Sequence, residues 1–469
     1  MNTTFLVALF IYLFIFIAIS IIDTRSVKSF TDYAVAGRRQ STFAVTMTLL
    51  ATVIGASTTI GITDTVYSIG FPGIWWLAFG AIGLILQSIF ISEKVRMTEA
   101  ATLPDLAGIT VCRAAEVLIS LIIVISWIGV IAGQLVAMNS LVSFAIGRND
   151  KILFIIMSIV IILYTLLGGQ TSVVKTDKVQ LVIIIAGIAL CCGYLYLIKG
   201  GDTSSVAQNI ELLNQSYKPS NLINQFFVIG GVYFLGPDII SRNFISKDKK
   251  AAKKAALIAG ICLFGFSIMI TLIGMWAKMN ITPEELGESK TLMYIVGIIP
   301  KAISIPLIFG LLSAILSSTD TCLINASTIF AKDIAKKESV TAVRITVAVI
   351  GVLAAGLAIL GNGDIMTLLT GAYSIYTPGV IFPLLIAILC YKRKRIRKPV
   401  WLLAVSLGGL FGIVGTYFSD WLISLELPAQ IMSNLTLIGM GLSLIISILS
   451  IDFKSSTKTS EESKKAVSE

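Results

Sequence analysis

Long apolar runs separated by short charged breaks recur from one end of the chain to the other. They lie near Thr4–Ile22, Thr42–Tyr67, Ile74–Ser92, Val117–Ile146, Ile152–Leu167, Val179–Ile198, Phe226–Ile240, Ala255–Trp276, Ala302–Phe330, Ile345–Leu360, Ile365–Cys390, Val400–Phe418 and Ile431–Leu449. Runs of this length match the roughly 20 apolar residues that one helical crossing of a bilayer requires. The pattern therefore predicts an all-α integral membrane protein with about 13 transmembrane helices. The longest connections, Lys199 to Asn221 and Ala277 to Pro300, are too short for a folded domain of their own. One transmembrane domain over residues 1–450 is expected, with a short polar tail of disordered composition at 451–469.

Composition agrees with a lipid solvent: 56% of the 469 residues are apolar and only 13% are charged, too few for a water-facing surface. An odd number of crossings puts the termini on opposite sides. Loops on the carboxyl-terminal side hold 29 of the 36 Lys and Arg residues, so that side reads as cytoplasm and the amino terminus as outside, in the cell (inner) membrane. The net charge of +10 is then a topology signal. Scattered over short loops, it gives no basis for a nucleic-acid partner. Histidine is absent and no acidic pair is clustered, so an enzyme is not expected. The cysteines Cys112, Cys191, Cys192, Cys262, Cys322 and Cys390 have no metal-ligand or disulfide spacing and read as packing residues. The first run lacks a basic lead and a cleavage site, so it reads as a spanning helix instead of a signal peptide.

Two runs are interrupted at mid-membrane depth, by Gly55-Ala56-Ser57-Thr58-Thr59-Ile60-Gly61 and by Gly230-Gly231-Val232-Tyr233-Phe234-Leu235-Gly236-Pro237. Unwound backbone in lipid loses several kcal/mol per unsatisfied group, which argues for bound ions or solute at the breaks. Close packing on small residues is the plainer alternative for either run alone. Their matched positions, five crossings apart, favour binding. In the ninth run, Ala314, Ser317, Asp320 and Thr321 share one helix face with Ser318 at its edge, so oxygens converge where a monovalent cation fits. Asp320, an acid inside an apolar helix, needs a partner. Asp177 is one candidate, although its place at the start of a crossing equally suits an ordinary cap.

Asp32-Tyr33-Ala34-Val35-Ala36-Gly37-Arg38-Arg39, Tyr164-Thr165-Leu166-Leu167-Gly168-Gly169 with Lys175-Thr176-Asp177, Gly236-Pro237-Asp238 with Arg242, and Ser317 through Ile334 together resemble sodium:solute symporters. The resemblance implies a five-plus-five inverted-repeat core, with repeats at about 42–198 and 222–390, and sodium as coupling ion. Its main sodium site would use backbone oxygens of Ala51, Ile54 and Ala314 with the hydroxyls of Ser317 and Ser318. A second sodium site would fall on Asp177, Ser317, Asp320 and Thr321. Sugar- and sialate-carrying members have a hydroxyl where Asp320 stands, so ion number is open. Solute positions would be Ser57, Thr58, Trp75, Gln87, Gln134, Tyr233, Tyr373 and Ser374. Ser57-Thr58 replaces the acid–glutamine pair of sugar carriers, which argues against a sugar. No Lys or Arg is expected in the middle of a pocket-lining helix, leaving an amino acid or small carboxylate to be held by hydroxyls, backbone and helix dipoles. The resulting expectation is a sodium-coupled importer of a small organic solute working by alternating access. A transporter-like sensor and a proton-coupled symporter are the alternatives.

Overall fold

The computed structural model describes residues 2–24, 27–148, 150–200, 203–360, 364–424, 429–432 and 434–452. These residues are almost wholly helical. Their one two-stranded pairing sets Arg395–Ile396 antiparallel to Ile451–Asp452. The tail expected to be disordered thus begins in a strand, and 453–469 lie outside the described residues.

Among the described residues nine helices are long and apolar enough to cross a membrane, or ten if the bent pair Thr42–Val53 and Ser57–Ile69 forms one span. Thirteen is not the number that length and hydropathy return. Part of the difference is one helix, Lys151–Leu197, of 47 residues. At 1.5 Å per residue it is about 70 Å long, more than twice the hydrocarbon thickness. The expected runs Ile152–Leu167 and Val179–Ile198 are its two arms, and Gly169, at φ 60° and ψ −167°, breaks the helical path between them. Only glycine suits this position, because a Cβ would also lie 2.7 Å from the Tyr33 ring. The first and last expected runs form shorter apolar helices, Val7–Ile22 and Leu435–Leu449.

Polarity is distributed as lipid demands. Large apolar side chains face outward, among them Phe14 (68% exposed), Ile152 (72%) and Ile345 (60%), while Asp177, Arg242 and Asp320 are fully buried. Backbone hydrogen bonds inside helices leave nothing polar for the surrounding hydrocarbon to strip.

Lys301–Ile329 runs through the middle of the molecule along Lys151–Leu197. The two helices touch backbone to backbone: a Cβ on Gly187 would lie 2.6 Å from the Pro306 carbonyl, and one on Gly310 would lie 3.1 Å from that of Ile183. Such close approach is how helices associate where no hydrophobic effect drives them together. Gly187→Ala should therefore lower the apparent melting temperature of the purified protein, by roughly 1–3 kcal/mol of overpacking. Gly193→Ala, on the same helix with open space around it, should be neutral or stabilising. Equal effects of the two would show that the contact is not tight.

Candidate functional site

Both interrupted runs are broken in the fold. Thr42–Val53 ends at Ile54 (φ −93°, ψ 88°), and the chain resumes as a π-type turn at Ser57–Gly61 leading into Ile62–Ile69, with a 62° bend across the break. In the second, Gly231–Leu235 ends at Gly236 (ψ 144°), and Pro237–Ile245 starts a new helix. Proline suits this restart because the first helical amide has no partner to lose.

Side chains repair the first break. The Gly55 amide donates to Thr58 Oγ1 (2.7 Å) and the Ala56 amide donates to Gln134 Oε1 (3.1 Å). Ser317 Oγ donates to the carbonyls of Ala51 (2.7 Å) and Ala314 (3.2 Å), and Ser318 Oγ donates to the Thr52 carbonyl (2.8 Å). Four of the five expected main-site residues, Ala51, Ala314, Ser317 and Ser318, thus converge. Ile54 sits fully buried at the break itself. Gly55 lets the helices meet, since a Cβ there would lie 2.5 Å from Ser318 Oγ.

One turn further along Lys301–Ile329 lies a charged cluster. Arg242 Nη2 donates to Thr321 Oγ1 (2.5 Å) and Thr52 Oγ1 (2.6 Å) and pairs with Asp177 Oδ2 (3.4 Å). Thr48 donates to the same Asp177 oxygen. Asp320 accepts from Tyr164 Oη (3.0 Å) and Thr321 Oγ1 (3.4 Å). The expected second-site residues Asp177, Ser317, Asp320 and Thr321 therefore lie close together, but a guanidinium is among them. Two placements differ from the expected runs. Arg242 does not leave the bundle where the expected run ends at Ile240: its helix continues to Ile245 and buries it. Nor is Asp177 a cap, for it lies within the continuous arm after Gly169.

Between the two breaks is a small cavity, with about 20 Å³ of free space, lined by Thr52, Gly55, Ser57, Gln134, Tyr233, Asp238, Ser318, Cys322 and Tyr373 among others.

A family model of the sodium:solute symporters matches residues 33–396. The chain belongs to that family. The symporter is 27% identical over 358 residues to a sodium/pantothenate symporter of Haemophilus influenzae, covering 71% of this chain and 72% of that one. It is 28% identical over 426 residues to an osmoregulated proline transporter of Bacillus subtilis, covering 82% and 84%. Its fold resembles a substrate-bound, outward-open Na+-coupled sialic acid symporter, with a TM-score of 0.76 at 18% identity over 94% of this chain and 95% of the other. Mhp1, a nucleobase-cation-symport transporter, gives 0.58 at 16% identity over 88% and 92%. The chain is thus a multi-pass membrane transporter, a sodium-coupled symporter of a small organic solute and not an enzyme.

Of the expected solute positions, Ser57, Gln134, Tyr233 and Tyr373 line the symporter's central cavity. The other four do not. Thr58 turns into its own broken helix, bonding Gly55 and the Val53 carbonyl. Trp75 stacks on Phe79 and donates to the Leu212 carbonyl (2.9 Å). Gln87 donates to the Phe234 carbonyl (3.2 Å), bracing the second break. Ser374 lies where its backbone meets Gly412 of another helix. Sequence reasoning gave no role to Asp238, although the break just before it was the signal that it faces the cavity.

A second polar cavity of about 260 Å³ lies at the far end of the first broken helix. There Lys290 bridges Asp64 (3.4 Å) and Asp364 (2.7 Å). Partial burial pulls the Lys290 pKa down, but the Asp364 hydrogen bond and the Asp64 charge leave it above the ordinary lysine value.

Removing Arg242 should be damaging, because Asp177 would stay buried without its cation. Arg242→Leu is expected to destabilise by roughly 3–5 kcal/mol, and Asp177→Asn added to it should recover part of that loss. Thermal unfolding of the singles and the double decides; strictly additive losses would mean that the two side chains do not act as a pair.

Proposed function

We propose that this symporter binds sodium at Ala51, Ile54, Ala314, Ser317 and Ser318 and a small organic solute, an amino acid, small carboxylate or similar, in the adjoining central cavity. Both ligands bridge the broken helices and the Lys301–Ile329 helix, so their joint presence selects one arrangement of the bundle over another, and alternating access follows. The observation that carries this reading is the pair of serine hydroxyls set against the backbone carbonyls of the first break. Each hydroxyl now donates its proton to a carbonyl. With sodium between them, hydroxyl and carbonyl oxygens would both point lone pairs at the ion. About 100 mV gives one charge roughly 2.3 kcal/mol and a tenfold sodium gradient adds about 1.4 kcal/mol. One sodium then sustains a solute gradient of several hundredfold.

In the proposed orientation the protein lies in the cell (inner) membrane, amino terminus outside. The cytoplasmic side carries the basic segment Lys247 to Lys254, of which the fold leaves Lys247 to Lys250 exposed and buries Ala251. A Lys250→Cys protein with no other cysteine should stay unlabelled by an impermeant thiol reagent in intact cells and react after permeabilisation. Labelling from outside would reverse the topology.

Ser317→Ala and Ser318→Ala each keep the helix small enough to pack while deleting a ligand. The sodium concentration giving half of the maximal thermal stabilisation should rise about tenfold in each, a loss near 1.4 kcal/mol. If neither shifts, the assignment is wrong. Stabilisation that follows pH but not sodium would favour protons as the coupling ion.

A further inference from the structure

We propose that the transported solute carries a protonated amine or quaternary ammonium group and that Asp238 is its counter-ion. The inference rests on the central cavity being the solute site and names the class of solute that the cavity takes.

Asp238 is the second residue of Pro237–Ile245, placed by the break at Gly236 so that it lines the cavity opposite the first break. It is the one charged side chain among the residues lining that cavity. Its Oδ1 is buried without a hydrogen-bond partner, and Oδ2 has only the weak thiol of Cys322, at 4.0 Å. Arg242, one turn on, makes no ion pair with it: the bonding nitrogen of that guanidinium is committed to Thr52, Thr321 and Asp177, and its charge reaches Asp238 only through space. The amides at the start of the helix and the nearby charge of Arg242, which forms no ion pair with it, are what offset the Asp238 charge. A carboxylate held this way inside a membrane protein calls for a mobile cation.

Charge balance selects where that cation comes from. Around the breaks lie the buried Asp177 and Asp320 and the half-buried Asp238 against the buried Arg242, three carboxylates and one guanidinium. With all three counted as ionised, one sodium beside Ser317 and Ser318 leaves one negative charge, which we place at Asp238, the one of the three that accepts no hydroxyl or guanidinium hydrogen bond. A solute ammonium there closes the balance; an anionic solute group there would instead double the imbalance. Tyr233 and Tyr373 line the same cavity, and aromatic faces beside a carboxylate are the usual surroundings of an alkylammonium. The free space around Asp238 holds about one water-sized group. The ammonium head therefore enters as the two broken helices part.

The test uses the purified full-length protein and solutes of three kinds: choline, glycine betaine and proline, which carry a cationic nitrogen; lactate and pantothenate, which are anions without one; and glucose, which is neutral. Binding is read as thermal stabilisation in saturating sodium and, independently, as direct binding without sodium. Stabilisation confined to the cationic-nitrogen group is expected, with affinity falling at least about tenfold in Asp238→Asn and partly retained in Asp238→Glu. The sodium concentration for half-stabilisation in the absence of solute should change less than about twofold in both variants, which also reports that they fold. Stabilisation by lactate, pantothenate or glucose as strong as by any cationic solute, or unchanged affinity in Asp238→Asn, would overturn the proposal. Should sodium leave the wild type unmoved, the sodium-site reading falls, while the contrast between solutes measured without sodium still decides this one.

Discussion

Inside a bilayer no water is available to satisfy a backbone group that leaves its helix, and this constraint shapes the centre of the molecule. At the first break the groups freed from the Thr42–Val53 helix are met by Thr58, Gln134, Ser317 and Ser318, side chains from the broken helix itself and from two others. Such repairs hold the chain in a conformation that would otherwise be lost. They are also exchangeable. In the proposed sodium site a serine proton and a sodium ion would satisfy the same carbonyl, so an ion there would tighten the break.

The second level of organisation is electrostatic and sits one helical turn away. Ser317 and Ser318 are followed by Asp320 and Thr321 on the same helix, so the uncharged cluster and the charged one are rigidly spaced. Arg242 reaches into the charged cluster from the second broken helix and bonds Thr52 on the first. Through one side chain the two breaks, the Asp177 arm and the Thr321 helix are tied together. A buried arginine with three partners on three helices is a fastening between elements, and it responds to any displacement of one against another.

Much of this was legible in the sequence because breaks in an apolar run are conspicuous. Gly55 to Gly61 and Gly230 to Pro237 could be read as interruptions, and the serine face at Ser317 followed from helical periodicity alone. Arg242 could not be placed, because it adjoins a lysine-rich segment and its partners lie 65 to 190 residues away. Asp177 was obscured similarly: Lys175 and Lys178 flank it and suggest a helix start, whereas the helix continues through and turns the acid inward. The count of crossings suffered from length. A glycine kink inside Lys151–Leu197 and the short terminal helices are features that hydropathy alone does not resolve. Solute positions were the least legible, since Trp75 and Gln87 are the right kinds of residue on the right helix and still point elsewhere.

The surplus of carboxylates over guanidinium in the core has a further consequence, for the cell's electrical potential. With sodium and the proposed cationic solute aboard, the moving parts would be nearly neutral and would cross between their two arrangements without feeling the field. Unloaded, on the same charge balance, they would carry the surplus negative charge with them. An interior-negative voltage then acts on the empty protein, driving its binding groups back toward the outer face after each delivery. The resting potential would set how quickly the symporter resets, and a voltage step applied to the sodium-free protein is where that charge would be seen to move.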